Sequence, residues 1–153
     1  MFTDKTRSSS LEDQIIRNIF RVYPLLRNRI LKARDIAHDT EIQLPHAQIL
    51  LTLEDQDSLS VTQLSQHTGI AMPNITPIID KLCALQYVER HHSKNDRRMV
   101  EISILPDGIN CIERIRNVIC EQIFHQDSEF TDVQLTRLND ALLTILKYFP
   151  IDS

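Results

Sequence analysis

Glycine is nearly absent from this chain: its 153 residues include two, Gly69 and Gly108. Neither a phosphate-cradling loop nor a dinucleotide fingerprint can be written with so few, and no GxSxG elbow or HExxH pair occurs. An enzyme is disfavoured on these grounds. Tryptophan is missing and aromatics make up only 5%, so leucine and isoleucine must build the core. The cysteines (Cys83, Cys111 and Cys120) are odd in number and form no CxxC pair, which fits a reducing compartment. At about 100° per residue, Cys111 and Cys120 fall on opposite faces of one helix, which rules out a disulfide between them there. No apolar run reaches the roughly 18–20 residues of a membrane span, and residues 1–10 lack the apolar centre of a signal peptide. The expected location is cytoplasmic, with no membrane partner.

What is present, 42% hydrophobic and 25% charged, has the balance of one globular domain long enough to bury a sizeable core. A net charge of −4 argues at first against nucleic acid, but distribution matters more than the sum. Residues 14–34 hold six cations (Arg17, Arg21, Arg27, Arg29, Lys32, Arg34) and no carboxylate. Over residues 89–98, Arg90, Lys94, Arg97 and Arg98 outnumber Glu89 and Asp96. The acids gather at 35–57 and 127–140. From charge alone, solvated faces explain these runs as well as a ligand does.

Ser9 with Glu12 makes a capping box, and a helical stripe of Leu11, Ile15, Ile19, Tyr23, Leu26 and Ile30 follows to about His38. Pro24 lies inside it and frees the Phe20 carbonyl, which predicts a kink. A second helix is expected from Pro45 to about Gln56. Ser60-Val61-Thr62-Gln63 is another capping box, opening a short helix that Gly69 ends. Ile75, Ile78, Ile79, Leu82 and Leu85 mark the next helix, completing a helix-turn-helix layout. Tyr87–His91 and Met99–Ile104 read as strands joined by the basic loop Ser93–Arg98, a wing. Pro106 opens a long helix with Ile109, Ile112, Ile115, Ile119 and Ile123 on one stripe. The box Thr131-Asp132-Val133-Gln134 starts a last helix, with Leu135, Leu138, Leu142 and Ile145 inward. The fold expected is mostly α (α+β), with about six helices and a two- or three-stranded wing sheet. The surplus apolar face on the terminal helices predicts a homodimer.

The stretch from Leu59 to Ser65, Gly69-Ile70, Asp80-Lys81-Leu82, Val88-Glu89-Arg90 and Asn95-Asp96-Arg97-Arg98 together form a specific pattern. On these residues nearly the whole chain resembles the MarR family of bacterial transcription regulators. The resemblance implies one domain over 1–153, with dimerisation helices at 10–38 and 106–148 and a winged helix-turn-helix lobe at 44–104. It implies a triangular dimer on palindromic double-stranded DNA, with the fourth helix in the major groove and the wing in the minor groove. A repressor modulated by a small organic effector follows, needing no cofactor.

Carried over residue by residue, the family pattern places DNA-reading side chains at Met72, Asn74, Thr76 and Pro77. Ser60 and Thr62 stand at a helix N-terminus, where backbone amides favour phosphate. Lys94 would bind DNA, Arg97 would serve phosphate or structure, and Arg98 the minor groove, with Asp96 orienting Arg98 or the wing by a salt bridge. Many relatives carry Arg where this chain has Met72 and Pro77, so residues 71–79 hold no cation for guanine. Pro77 leaves two expectations: a distorted first turn from Met72, or a helix that starts late, capped by Thr76. Leu105 replaces the usual cap of the following helix, which then begins on Pro106 alone.

Relatives that sense peroxide carry a first-helix cysteine, absent here, so the cysteines read as buried small hydrophobes. His38, Asp39, Glu41 and His46 cluster where zinc-sensing relatives bind metal, but only His125 follows in the fifth helix, and no metal is expected. His91 and His92 point to opposite faces of a strand and cannot chelate together. The effector candidates are Tyr23, Arg27, His46 and Ile112, between the first, second and fifth helices. The competing readings are a winged-helix dimer used for protein–protein contact and a redox- or metal-sensing regulator.

Overall fold

A computed structural model describes residues 10–36, 42–125 and 130–149. Its elements run α1 (Leu11–Ile36), α2 (Leu44–Glu54), β1 (Leu59–Ser60), α3 (Val61–Thr68), α4 (Met72–Ala84), β2 (Val88–His92), β3 (Val100–Ile104), α5 (Pro106–Cys120) and α6 (Asp132–Tyr148). This is the mostly helical winged-helix architecture that the periodicity predicts.

The cap of the long first helix lies one residue later than predicted. Ser10 Oγ accepts from the Asp13 amide at 3.2 Å, while Ser9 lies outside the described residues. The helix then runs on through Pro24 to Ile36. At α3 both halves of the predicted box form: Gln63 N–H donates to Ser60 Oγ at 3.2 Å, and Ser60 N–H donates to Gln63 Oε1 at 2.9 Å. Gly69 closes α3 in the left-handed region at φ 68°, its N–H donating to the Ser65 carbonyl at 2.9 Å.

The wing sheet has three strands, all antiparallel, in the order β1-β3-β2. The short β1 sets Leu59 opposite Ile102, and β2 sets Arg90 opposite the same residue. One core joins this sheet to the helices. Ile49, Leu50 and Leu53 from α2, Leu64 from α3, and Ile75, Ile79 and Leu82 from α4 are fully buried with Ile102, Cys111 and Ile112.

Three expectations need correction. The α4 helix does not start late at Thr76; it starts at Met72, because Pro73 sits in the first turn, where proline costs no helical hydrogen bond. On α5, Ile109 is exposed while Gly108, Cys111 and Ile112 are buried, so the inward stripe is rotated from the one predicted. Finally, Leu135, Leu138, Leu142 and Ile145 do not point inward, for α6 buries no residue within its own chain. Its apolar side chains stay largely exposed on the single chain.

Two features were not foreseen. The C-terminal end of α5 widens into a π-helical turn, Glu121–His125, whose Gln122 and Ile123 carbonyls accept from the Arg29 guanidinium at 3.1 and 3.4 Å. In addition, α4 ends with Gln86 in the left-handed region at φ 58°. Its N–H reaches the Cys83 carbonyl at 3.0 Å, and Tyr87 N–H reaches the Leu82 carbonyl at 2.9 Å, the bonds of a Schellman cap.

Candidate nucleic-acid interface

The residues predicted to meet DNA sit in one lobe, on elements whose local chemistry fixes their placement. Buried Thr68 stitches the turn between α3 and α4. Its hydroxyl donates to the Leu64 carbonyl at 2.6 Å and accepts from Ile70 N–H at 3.3 Å, while its carbonyl accepts from the Gln48 amide at 2.8 Å. Ser65 Oγ donates to the Ile70 carbonyl at 2.7 Å. The turn thus holds α4 by side-chain bonds as well as by packing. Ala71 caps α4 without a side-chain bond, leaving the helix start open to solvent.

On α4, Ile75, Ile79 and Leu82 are buried, whereas Met72, Pro73, Asn74, Thr76, Pro77 and Asp80 are exposed. At about 100° per residue, Pro73, Thr76, Pro77 and Asp80 form one outward stripe opposite the buried one. Pro77 has no N–H to give to the Pro73 carbonyl, so one helical bond is missing on that face. Sequence reasoning named Met72, Asn74, Thr76 and Pro77 but missed Pro73; its spacing of four from Pro77 was the available signal. Thr62 is exposed in the first turn of α3, whereas Ser60 is almost buried with its hydroxyl committed to the cap.

The wing is built on Asp96, though not by a salt bridge. Its carboxylate accepts from the backbone N–H of Arg98 at 2.9 Å, an Asx turn, while its carbonyl accepts from Met99 N–H at 2.9 Å. Ser93, buried at the wing base, takes the Asn95 amide on its hydroxyl at 3.3 Å. The side chains of Lys94, Arg97 and Arg98 are all exposed, and His92, Ser93, Lys94 and Arg97 line a cleft of 640 Å³. Beneath them, Glu101 accepts from the Ser58 hydroxyl at 2.7 Å, and this bond, helped by Ser93, lowers its pKa below the usual 4.5.

One ion pair that the sequence did not reveal joins the two halves of this face: the Arg90 guanidinium on β2 binds the Asp80 carboxylate on α4. A second, Arg116 with Glu54, ties α5 to α2.

The four effector candidates are not brought together. Tyr23 and Arg27 line a cleft of 330 Å³ with Leu26, Ile30 and Leu44, between α1 and α2. His46 and Ile112 are instead buried in the core. The Nδ1 atom of His46 accepts from Gln43 N–H at 3.1 Å, which caps α2 and leaves any ring proton on Nε2. Burial first, and the charge of Lys81 second, lower its pKa below 6.5. Cys111 is buried and its thiol pKa is raised by desolvation, which disfavours the reactive thiolate; Cys83 and Cys120 are half-buried. No group of three or more His, Cys, Asp or Glu side chains converges as a metal site among the described residues; His38, Asp39 and Glu41 lie outside them. Among those residues no helix is long and apolar enough to cross a membrane.

A capped helix-turn-helix whose second helix exposes one face, followed by a three-stranded sheet with a basic loop, defines a winged helix-turn-helix protein. Residues 42–100, which cover that unit, match the model of the MarR family. It is 26% identical over 136 residues to the uncharacterized HTH-type transcriptional regulator YpoP of Bacillus subtilis, covering 88% of this chain and 92% of that one. It is 29% identical over 126 residues to the transcriptional repressor MprA of Escherichia coli K12, covering 74% of this chain and 68% of the repressor. The fold is shared with a MarR variant from Escherichia coli solved in complex with operator DNA. There the TM-score is 0.66 at 18% identity, over 90% of this chain and 99% of the other.

Proposed function

We propose that this chain is a homodimeric transcriptional repressor that binds palindromic DNA, with α4 in the major groove and the wing in the minor groove. The observation that carries this reading is the pairing of an exposed α4 face with an exposed Lys94-Arg97-Arg98 wing, coupled through Asp80 and Arg90. A helix of this width fits the major groove, and flexible arginines fit the narrower minor groove. The dimer is supported by α1 and α6. Ile15, Ile19, Val22, Ile145 and Phe149, with Asn18 and Tyr23, line a mostly apolar cleft of 560 Å³, and a second copy would close it. For the effector, the cleft at Tyr23 and Arg27 offers apolar walls with one aromatic ring and one cation, suited to a small organic acid. The likeness to a named repressor supports the direction of control.

Fluorescence anisotropy of the full chain on its own upstream DNA, at several salt concentrations, tests the reading. Nanomolar binding with a steep salt slope is expected, because cations of the wing release counterions from the duplex. Light scattering at micromolar concentration should give twice the chain mass, 17.8 kDa. A monodisperse monomer with native helicity, or DNA binding no tighter to a specific site than to random duplex, overturns the proposal.

A further inference from the structure

We propose that the outward face of α4 recognises the 5-methyl groups of thymine in the major groove, and so selects thymine-bearing operators without a guanine-reading cation. This rests on the DNA-binding reading above. Three observations converge on it. The stripe that faces away from the core consists of Pro73, Thr76 and Pro77, with exposed Met72 at its N-terminal edge. Within it the Thr76 hydroxyl is the one side-chain hydrogen-bonding group before Asp80, which is occupied by Arg90. Between residues 44 and 104 carboxylates outnumber Lys and Arg by seven to five, and three of those five cations, Lys94, Arg97 and Arg98, stand in the wing, so attraction to phosphate is concentrated there.

Base edges differ in what they demand of such a surface. Guanine presents two acceptors to the major groove and calls for Arg or Lys, whereas cytosine presents a donor and calls for a carboxylate or hydroxyl. Pressed against proline rings, either edge loses its water and gains no partner. Thymine alone projects a methyl group into the same groove, and an apolar side chain can cover it. Proline suits the task because its ring is rigid, so no rotamer entropy is lost on contact. Methionine at the edge is adaptable and polarizable, fitting a methyl whose position varies with local twist. Asn74, off the stripe and exposed, remains free to pair with adenine N6 and N7. The composition of this helix is thus matched to an A·T step, with the amide for one base and the apolar ridge for the other.

The test uses the full-length chain and duplexes that it enriches from a random pool. Each enriched duplex is then synthesised with thymine replaced by 2′-deoxyuridine at single positions, which removes the methyl and leaves every hydrogen-bonding edge intact. Wild-type protein should lose affinity about fourfold for each contacted methyl, the worth of one buried methyl group. With Pro77→Ala or Met72→Ala that ratio should fall towards one, while circular dichroism stays native, since alanine is the better helix former. Pro77→Arg should redirect the enrichment towards guanine. Equal binding of the thymine and deoxyuridine duplexes overturns the inference while leaving DNA binding itself intact. An unchanged ratio in both alanine variants overturns it too. A pool in which nothing is enriched overturns the DNA-binding reading on which it stands.

Discussion

The carboxylate of Asp80 on α4 pairs with the guanidinium of Arg90 on β2, joining the exposed helix to the strand that leads into the wing. Asp80 lies one turn beyond Thr76 and Pro77 on the same face, so the pair ties that face to the strand leading into the wing. The side chains are 57% and 40% exposed, which limits what the pair contributes to folding. Arg90→Ala should therefore change unfolding free energy by less than about 1 kcal/mol. DNA affinity should fall by more than that, because the pair is one of the ties that align helix and wing. A double-mutant cycle with Asp80→Asn, read by urea denaturation and by anisotropy, checks both parts. Equal losses in stability and affinity would show that the pair is only a surface contact.

Two backbone positions make opposite predictions for stability. Gln86 holds the left-handed φ of 58° that the cap of α4 requires, a conformation costing a non-glycine residue about 1–2 kcal/mol. Gln86→Gly should stabilise the fold, by about 0.5–1 kcal/mol after glycine's larger unfolded-state entropy is counted. Gly108 is the reverse. A Cβ there would run into the carbonyl oxygen of Tyr87, and into Ile104 Cγ1 at 2.9 Å. Neither can retreat easily, since the Tyr87 carbonyl accepts Leu105 N–H at 2.9 Å. Gly108→Ala should destabilise by about 1–3 kcal/mol, overpacking outweighing the gain in helix propensity. Denaturation midpoints at one fixed protein concentration measure both.

For the wing, the absence of a cation over residues 71–79 shifts electrostatic affinity onto Arg98 and its neighbours. Arg98→Ala should cost about 2–4 kcal/mol per dimer in DNA binding and flatten the salt slope by about two units. Asp96→Ala leaves every cation in place but removes the acceptor of the Arg98 amide, so affinity should fall with little change of slope. Asn74→Ala should relax sequence preference instead, also with little change of slope. Anisotropy titrations at several salt concentrations separate the three. An Arg98→Ala variant with wild-type affinity and slope would sink this account of the wing.

His46 predicts a pH dependence of stability. Its pKa is lowered in the fold, by burial first and by Lys81 second. The unfolded chain therefore takes up a proton before the folded one, and stability falls as pH drops through 6.5, until the folded pKa is passed. Protonation at Nδ1 also breaks the bond from Gln43 N–H that caps α2. His46→Gln, which keeps an acceptor at that position but cannot titrate, should lose this slope below pH 6.5. Glu101 acts in a separate window: its lowered pKa adds stability that is lost as pH falls below 4.5. Urea midpoints across pH for wild type and His46→Gln distinguish the two groups.

Much of the fold was legible because its signals are local. The boxes Ser60–Gln63 and Thr131–Gln134, the αL glycine at 69 and the proline at 106 each act within one helical turn, and each forms as its residue types require. The basic loop of the wing followed from the same short-range reasoning, whereas Met72, Asn74, Thr76 and Pro77 on α4 came from the resemblance to the MarR family. The Schellman cap at Gln86 was missed because no glycine marks it; the cap is held by α4 and β2 on either side rather than by residue preference.

By itself, then, the sequence determined the order of helices and strands, the turn at Gly69 and the wing, because hydrogen-bond capping and periodicity operate over a few residues. Only the tertiary structure decided how distant residues meet. It paired Asp80 with Arg90 and set Gly108 against the Tyr87 carbonyl. It drew His46 and Ile112 into the core, away from the cleft of Tyr23 and Arg27, and left α6 uncovered by its own chain. Those outcomes depend on which surfaces pack together across many residues of chain, and no local preference encodes that.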